Sequence, residues 1–173
     1  MYRKAEARTV LGGGGVDLGA FVTIQRDSSG GERRKGGAGM TVEVAQRTME
    51  AYVEDLLGGP YKRHFSDDVV VTLVGTDQGA EGPYEAEAWI DHLHTVAFKA
   101  RPEIKSMIVG DGQAAAEFDF VGEHVGEFGG VAATGREVRV PYSVVYDLRG
   151  EEISAVRIYM SMELLMRQLG DAP

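Results

Sequence analysis

The sequence predicts an α+β domain whose helices gather on one face of a long curved sheet. Three observations carry this reading. An amphipathic helix opens the regular part of the chain, four strand-like segments follow from 103 to 160, and a short helix closes it at 162–169. A sheet of that length with a helix across its concave face leaves a pocket, the expected place for a ligand.

Residues 1–39 stand apart. Glycine is dense there, with four in a row at 12–15, and the basic cluster "ERRK" sits at 32–35. Glycine at this density costs too much backbone entropy to order unaided. The expectation is a flexible leader in which only "AFVTIQ" (20–25) can pair as a strand. The four glycines are no phosphate loop, because the following Lys-Ser/Thr and the strand-then-helix context are missing. Met40 is the expected natural start, and 40–173 the expected domain.

From Thr41 the pattern is regular. Val44, Thr48, Tyr52 and Leu56, with Met49 and Val53, recur every three to four residues, and "GGP" at 58–60 stops the helix. "YKRHF" (61–65) reads as a second short helix and "VVVTLVG" (69–75) as a strand. "TDQGAEGPYE" reads as a loop, and 85–100 as a helix ending ahead of Pro102. The remaining strands are expected at 103–109, 113–124, 136–148 and 152–160.

Composition excludes several classes. A net charge of −9 argues against nucleic acid or an anionic membrane as the main partner. Without cysteine there is no disulfide, thiolate metal site or cysteine nucleophile. No run of eighteen apolar residues suggests a membrane span, and no secretory signal is recognisable at the N-terminus. A cytoplasmic protein follows as the expectation.

Few residues offer chemistry. His92 and His94 are two apart on the expected helix, so they point to different faces and make a poor metal pair. His64 and His124 lie far off, and no metal site is expected. In "AAAEFDFVGEHVG" (114–126), strand alternation puts Ala116, Phe118, Phe120 and His124 on one face and Glu117, Asp119 and Glu123 on the other. The carboxylates then form a solvated face or a charged subunit contact, and His124 sits near a pocket rim. "VPYSVVYDL" (140–148) puts Tyr142, Val144 and Tyr146 on one face. "ISAVRIYMS" (153–161) does the same for Arg157, Tyr159 and Ser161. If both faces look into the concavity, tyrosines and one hydroxyl line it; otherwise these tyrosines are core with satisfied hydroxyls.

The stretch "GEHVGEFGGVAATGREVRV" (122–140), followed by "RIYMSMELLMRQLG" (157–170), resembles the SnoaL-like polyketide cyclases, of the superfamily with the nuclear transport factor 2-like fold. The resemblance spans roughly 42–170. It implies a cone: a curved mixed or antiparallel sheet wrapped by about three helices around a deep apolar cavity. It also implies ring closure in a hydrophobic polyketide without a cofactor, by intramolecular aldol condensation with an aspartate and a histidine. Counting back from the terminal Q-L-G puts the aspartate position on Ser161, and the ungapped preceding strand puts the histidine position on Val144. Neither residue is present.

A serine hydroxyl without a base cannot make an enolate. The expectation is therefore a cyclase that works by shape, through cycloaddition of the Diels–Alder type or epoxide opening. Ser161, Tyr159 and His124 are its candidate catalytic groups. Tyr142, Val144, Tyr146, Trp89, His92, Phe118 and Phe120 are the candidate substrate contacts. The alternatives are an aldol cyclase with relocated residues (Glu163, His124 or Asp119), and a ligand-binding or dimerisation module. The expected partners are a hydrophobic small molecule and a second copy of the chain.

Overall fold

The computed structural model describes residues 41–170 and the backbone of a short strand at 22–24. In chain order the elements are β1 (Val22–Ile24), α1 (Val42–Leu56), a 3-10 turn (Tyr61–His64), β2 (Phe65–Leu73) and β3 (Gly79–Glu81). Then come α2 (Pro83–Asp91), a π-helical turn (His92–Ala97), β4 (Phe98–Val109), β5 (Gln113–His124), β6 (Glu137–Arg149), β7 (Glu152–Met160) and α3 (Met162–Leu169). The strands form one open mixed sheet in the order β1-β4-β5-β6-β7-β2-β3. The β1–β4 and β2–β7 pairs are parallel and the others antiparallel. This is the expected α+β class. Among the described residues no helix is long and apolar enough to cross a membrane.

The long antiparallel strands follow from the sequence pattern. Along β5, Ala114, Ala116, Phe118, Phe120, Gly122 and His124 are all buried, while the residues between them are exposed or half-buried. Helix α1 presents Ala45, Thr48, Met49, Tyr52 and Val53 to the sheet, and Thr41 caps it by accepting the Val44 N–H at 3.3 Å. The leader lies outside the described residues except at 22–24, where β1 pairs with Met107–Val109 of β4.

Three local expectations are corrected. The helix expected over 85–100 ends earlier, because its last turn is π-helical and Phe98–Ala100 already pair in β4. Pro102 is tolerated within that strand because β1 covers only Met107–Val109, which leaves one side of β4 without a partner strand at 102 among the described residues. The segment read as a loop contains β3, where a Cβ on Gly79 would lie 2.2 Å from the Val71 carbonyl oxygen. Glycine there permits close backbone approach as well as a turn.

The core forms two clusters. One gathers α1, β2 and the lower halves of β4–β7 around Tyr52, Val144 and Tyr146. The other gathers Phe98, Phe120, Val140 and Leu165 under α3. Tyr142 packs against both, and the cavity opens where they meet.

Gly122 faces Ala100 across the β4–β5 ladder, and a Cβ there would lie 2.5 Å from the Ala100 Cα and Cβ. Gly122→Ala should therefore cost about 1–3 kcal/mol by overpacking. The check is a lower urea midpoint at unchanged slope. An unchanged midpoint would mean that the two strands have room to spare.

Candidate functional site

The concave face holds a narrow cavity of about 60 Å³. Its floor is strand: Tyr142, Val144 and Tyr146 from β6, beside Val156, Ile158 and Met160 from β7. These are direct cross-strand neighbours, Tyr142 opposite Met160, Val144 opposite Ile158 and Tyr146 opposite Val156. Tyr52 of α1 and Leu165 of α3 close two sides. Trp89, Leu93 and His94, from α2 and the π-helical turn, form the lid side with Phe128 from the β5–β6 loop. A second, more open space of about 400 Å³ lies outside. It shares Gln78, Trp89, Leu93 and Phe128 with the inner cavity, so those four side chains make the constriction.

No carboxylate lines the inner cavity. Its polar atoms belong to three tyrosines, Trp89, Gln78 and His94. Burial pushes the hydroxyls of Tyr52, Tyr142 and Tyr146 well above the usual phenol range, so all three stay protonated at neutral pH. Tyr146 and Tyr52 pack edge to face, with 5.5 Å between ring centroids. The Tyr142 hydroxyl has no partner among the described residues and its ring stacks on Phe118 at 5.1 Å. It is a free donor facing an apolar space. Burial pushes the His94 imidazole down to about 4, against the upward pull of the Asp91 carboxylate, and so holds it neutral.

Of the residues singled out in the sequence, Tyr142, Val144, Tyr146, Trp89 and Phe120 line the cavity. Phe118 sits behind Tyr142 as core. His92 faces the outer space, and His94, two residues on, reaches the inner one.

The β7 face is inverted relative to the sequence reading. A bulge is the cause: Leu148 pairs with Ile153 but Asp147 with Ala155, leaving Ser154 as the extra residue. Beyond it the inward set is 156, 158 and 160. Tyr159 is therefore on the outer face, 46% exposed, opposite Ser143. Arg157 pairs with Asp147 there. Ser161 is not in the cavity; its Oγ caps α3 by accepting the Leu164 N–H at 3.2 Å.

His124 is fully buried away from the cavity lining. The Thr134 N–H donates to its Nδ1 at 3.3 Å and the ring packs on Phe98, 5.0 Å between centroids. That leaves the proton on Nε2, which has no partner among the described residues. The relocated acids are elsewhere too. Glu163 is solvent-exposed and pairs with Arg167, and Asp119 lies outside with Lys105 and Arg139, which hold its carboxyl below the usual range.

The family model of the SnoaL-like polyketide cyclases matches residues 42–169. The chain belongs to that family. Among solved structures it is similar to a candidate SnoaL-like polyketide cyclase from Jannaschia sp. CCS1, at 17% identity and TM-score 0.67, covering 83% of this chain and 100% of that one. A candidate polyketide cyclase from Xanthomonas campestris pv. campestris follows at 19% identity and TM-score 0.64, covering 73% and 97%. AclR, a candidate hydroxylase from Streptomyces galilaeus, has 19% identity and TM-score 0.64, covering 77% and 89%. At these identities the likeness shows the fold. No curated protein matches the chain.

In this SnoaL-like chain the motif residues prove architectural. A Cβ on Gly126 would lie 2.3 Å from the Val96 carbonyl oxygen, so the β5–β6 loop can cross the π-helical turn closely. His124 and Thr134 close the base of that loop, which carries Phe128 to the cavity. Gln168 of the terminal Q-L-G clamps the backbone of Arg139, accepting its N–H at 2.8 Å and donating to its carbonyl at 2.9 Å. Leu169 is buried and Gly170 ends α3 at φ 92°.

Ser161→Ala should thus act on stability. Losing the cap costs about 1 kcal/mol, seen as a lower unfolding midpoint, while ligand affinity is unchanged. A large loss of affinity with unchanged stability would put the hydroxyl in the site after all.

Proposed function

We propose that this chain closes a ring in a hydrophobic polyketide-like substrate without a cofactor and without the aspartate–histidine pair implied by the family resemblance. The observation that carries this is the cavity lining: apolar walls, three protonated tyrosines and no carboxylate. The positions where the pair was expected hold Ser161, a helix cap, and Val144, a cavity wall.

Such a site works mainly by shape. Holding the reacting carbons of one chain in a near-attack arrangement removes up to about 7–11 kcal/mol of barrier in the best intramolecular cases. The free Tyr142 hydroxyl adds a directed donor that polarises a carbonyl or receives the oxygen of an opening epoxide. Since the cavity is far smaller than the roughly 300–1,000 Å³ of ligand pockets in general, Trp89, Leu93 and Phe128 must turn outward to admit a substrate. The outer space then accommodates the rest of it.

The test is incubation with linear polyketide-like esters that carry either a diene and an activated alkene or an epoxide and a hydroxyl, with chromatography and mass spectrometry of the products. The expected product is cyclic and has the mass of the substrate. Tyr142→Phe should slow its formation about twofold to tenfold, the worth of one hydrogen bond, and Val144→Trp should abolish it by filling the cavity. Tight binding without any product would instead favour a binding module. Product formation undiminished in Val144→Trp would move the reaction out of this cavity.

A further inference from the structure

The outer space of about 400 Å³ differs in chemistry from the cavity behind it. Leu93, Val96, Phe128 and the indole of Trp89 give it apolar and aromatic walls, and Glu127 is the one carboxylate of its lining. No ion pair or hydrogen bond engages the Glu127 side chain among the described residues. Every lining residue comes from two stretches of chain, 74–98 and 122–135, and neither contains a lysine or an arginine. They do carry Asp77, Glu81, Glu85, Asp91 and Glu123 besides Glu127. Lys62 approaches from the 3-10 turn, but it pairs with Glu87 and lies over the Tyr84 ring. Carboxylates around a mouth with low-dielectric walls draw cations towards it. An alkylated ammonium group suits such walls, because its methyl groups pack on aliphatic side chains while an indole face and a carboxylate attract its charge.

We propose that the outer space is a subsite for a tertiary or quaternary ammonium group, and that the ligand of this protein is a hydrophobic amine. This rests on the reading of the inner cavity as the place of a hydrophobic substrate, and it adds the chemistry of the substrate's other end. Gln78, Trp89, Leu93 and Phe128 belong to both spaces, so a single ligand passes the constriction with its two ends in different surroundings. The inner cavity offers no carboxylate, and a cation carried into it would lose its hydration without gaining a partner. The outer space is open to solvent and supplies Glu127 and Trp89. Charge therefore decides which end of the ligand leads. The apolar end enters and meets the unpartnered Tyr142 hydroxyl, and the ammonium stays outside.

The experiment uses the full chain and three probes that share a hexyl tail ending in phenyl and differ in the head: trimethylammonium, hydroxyl or carboxylate. Affinity is read by calorimetry and placement by the fluorescence of Trp89, the one tryptophan of the sequence, which lines both spaces. The expected order is trimethylammonium about threefold to thirtyfold tighter than hydroxyl, the combined worth of an exposed ion pair and a cation–π contact, with carboxylate the weakest. Glu127→Gln should weaken the trimethylammonium probe about twofold to fivefold. Asp111→Asn removes one negative charge at the exposed β4–β5 turn and should leave the order and the affinities unchanged. Three probes of equal affinity, or an effect of Asp111→Asn as large as that of Glu127→Gln, would overturn the ammonium subsite while the hydrophobic cavity stands. A trimethylammonium probe that binds without moving Trp89 fluorescence would place the cation elsewhere and overturn it too. If no probe binds, the cavity is not a ligand site and both readings fall.

Discussion

The concave face of the sheet is buried beneath the helices, and a side chain that projects there is favoured when it is apolar or carries its polar atoms uncharged. That constraint accounts for the chemistry of the cavity. Tyr52, Tyr142 and Tyr146 stay protonated and His94 stays neutral because desolvation penalises their charged forms. The charges appear on the opposite face, where Asp119, Lys105, Arg139 and Glu103 form a network in contact with solvent. Such exposed pairs contribute little stability each. Their effect is to keep carboxylates of β4 and β5 out of the cavity.

Around that face the family's motif residues act as fasteners. Gln168 ties α3 to β6, Gly126 lets the β5–β6 loop cross the π-helical turn, and His124 closes the base of the same loop. Together they hold Phe128, Leu165 and Met162 around the mouth. A motif can therefore identify the scaffold while leaving the chemistry open. Here the position where an aspartate was expected carries a helix-capping serine.

The sequence made β5 legible because alternation runs unbroken from Ala114 to His124. The faces of β6 could be read the same way, which is why Tyr142, Val144 and Tyr146 were found. On β7 the same rule failed at a single residue. Ile153 and Val156 are both buried, so the spacing is three, but a bulge at Ser154 leaves no mark in composition. His94 was missed as well. Ala86, Ile90 and His94 are spaced four apart and share the inward side of the lid, a signal present in the sequence. The early end of α2 at a π-helical turn is a tertiary effect, set by where Phe98 must enter the sheet.

The central claim is that a hydrophobic ligand occupies the space between the two core clusters, and methionine methyl groups report on it directly. Met160 and Met162 line the cavity, whereas Met107 is fully buried in the core away from it. With ¹³C-methyl methionine labelling, titration with 2-acetylnaphthalene should shift the Met160 and Met162 resonances together and saturably, leaving Met107 in place. Shifts confined to other methyls, or none at saturation, would contradict the account.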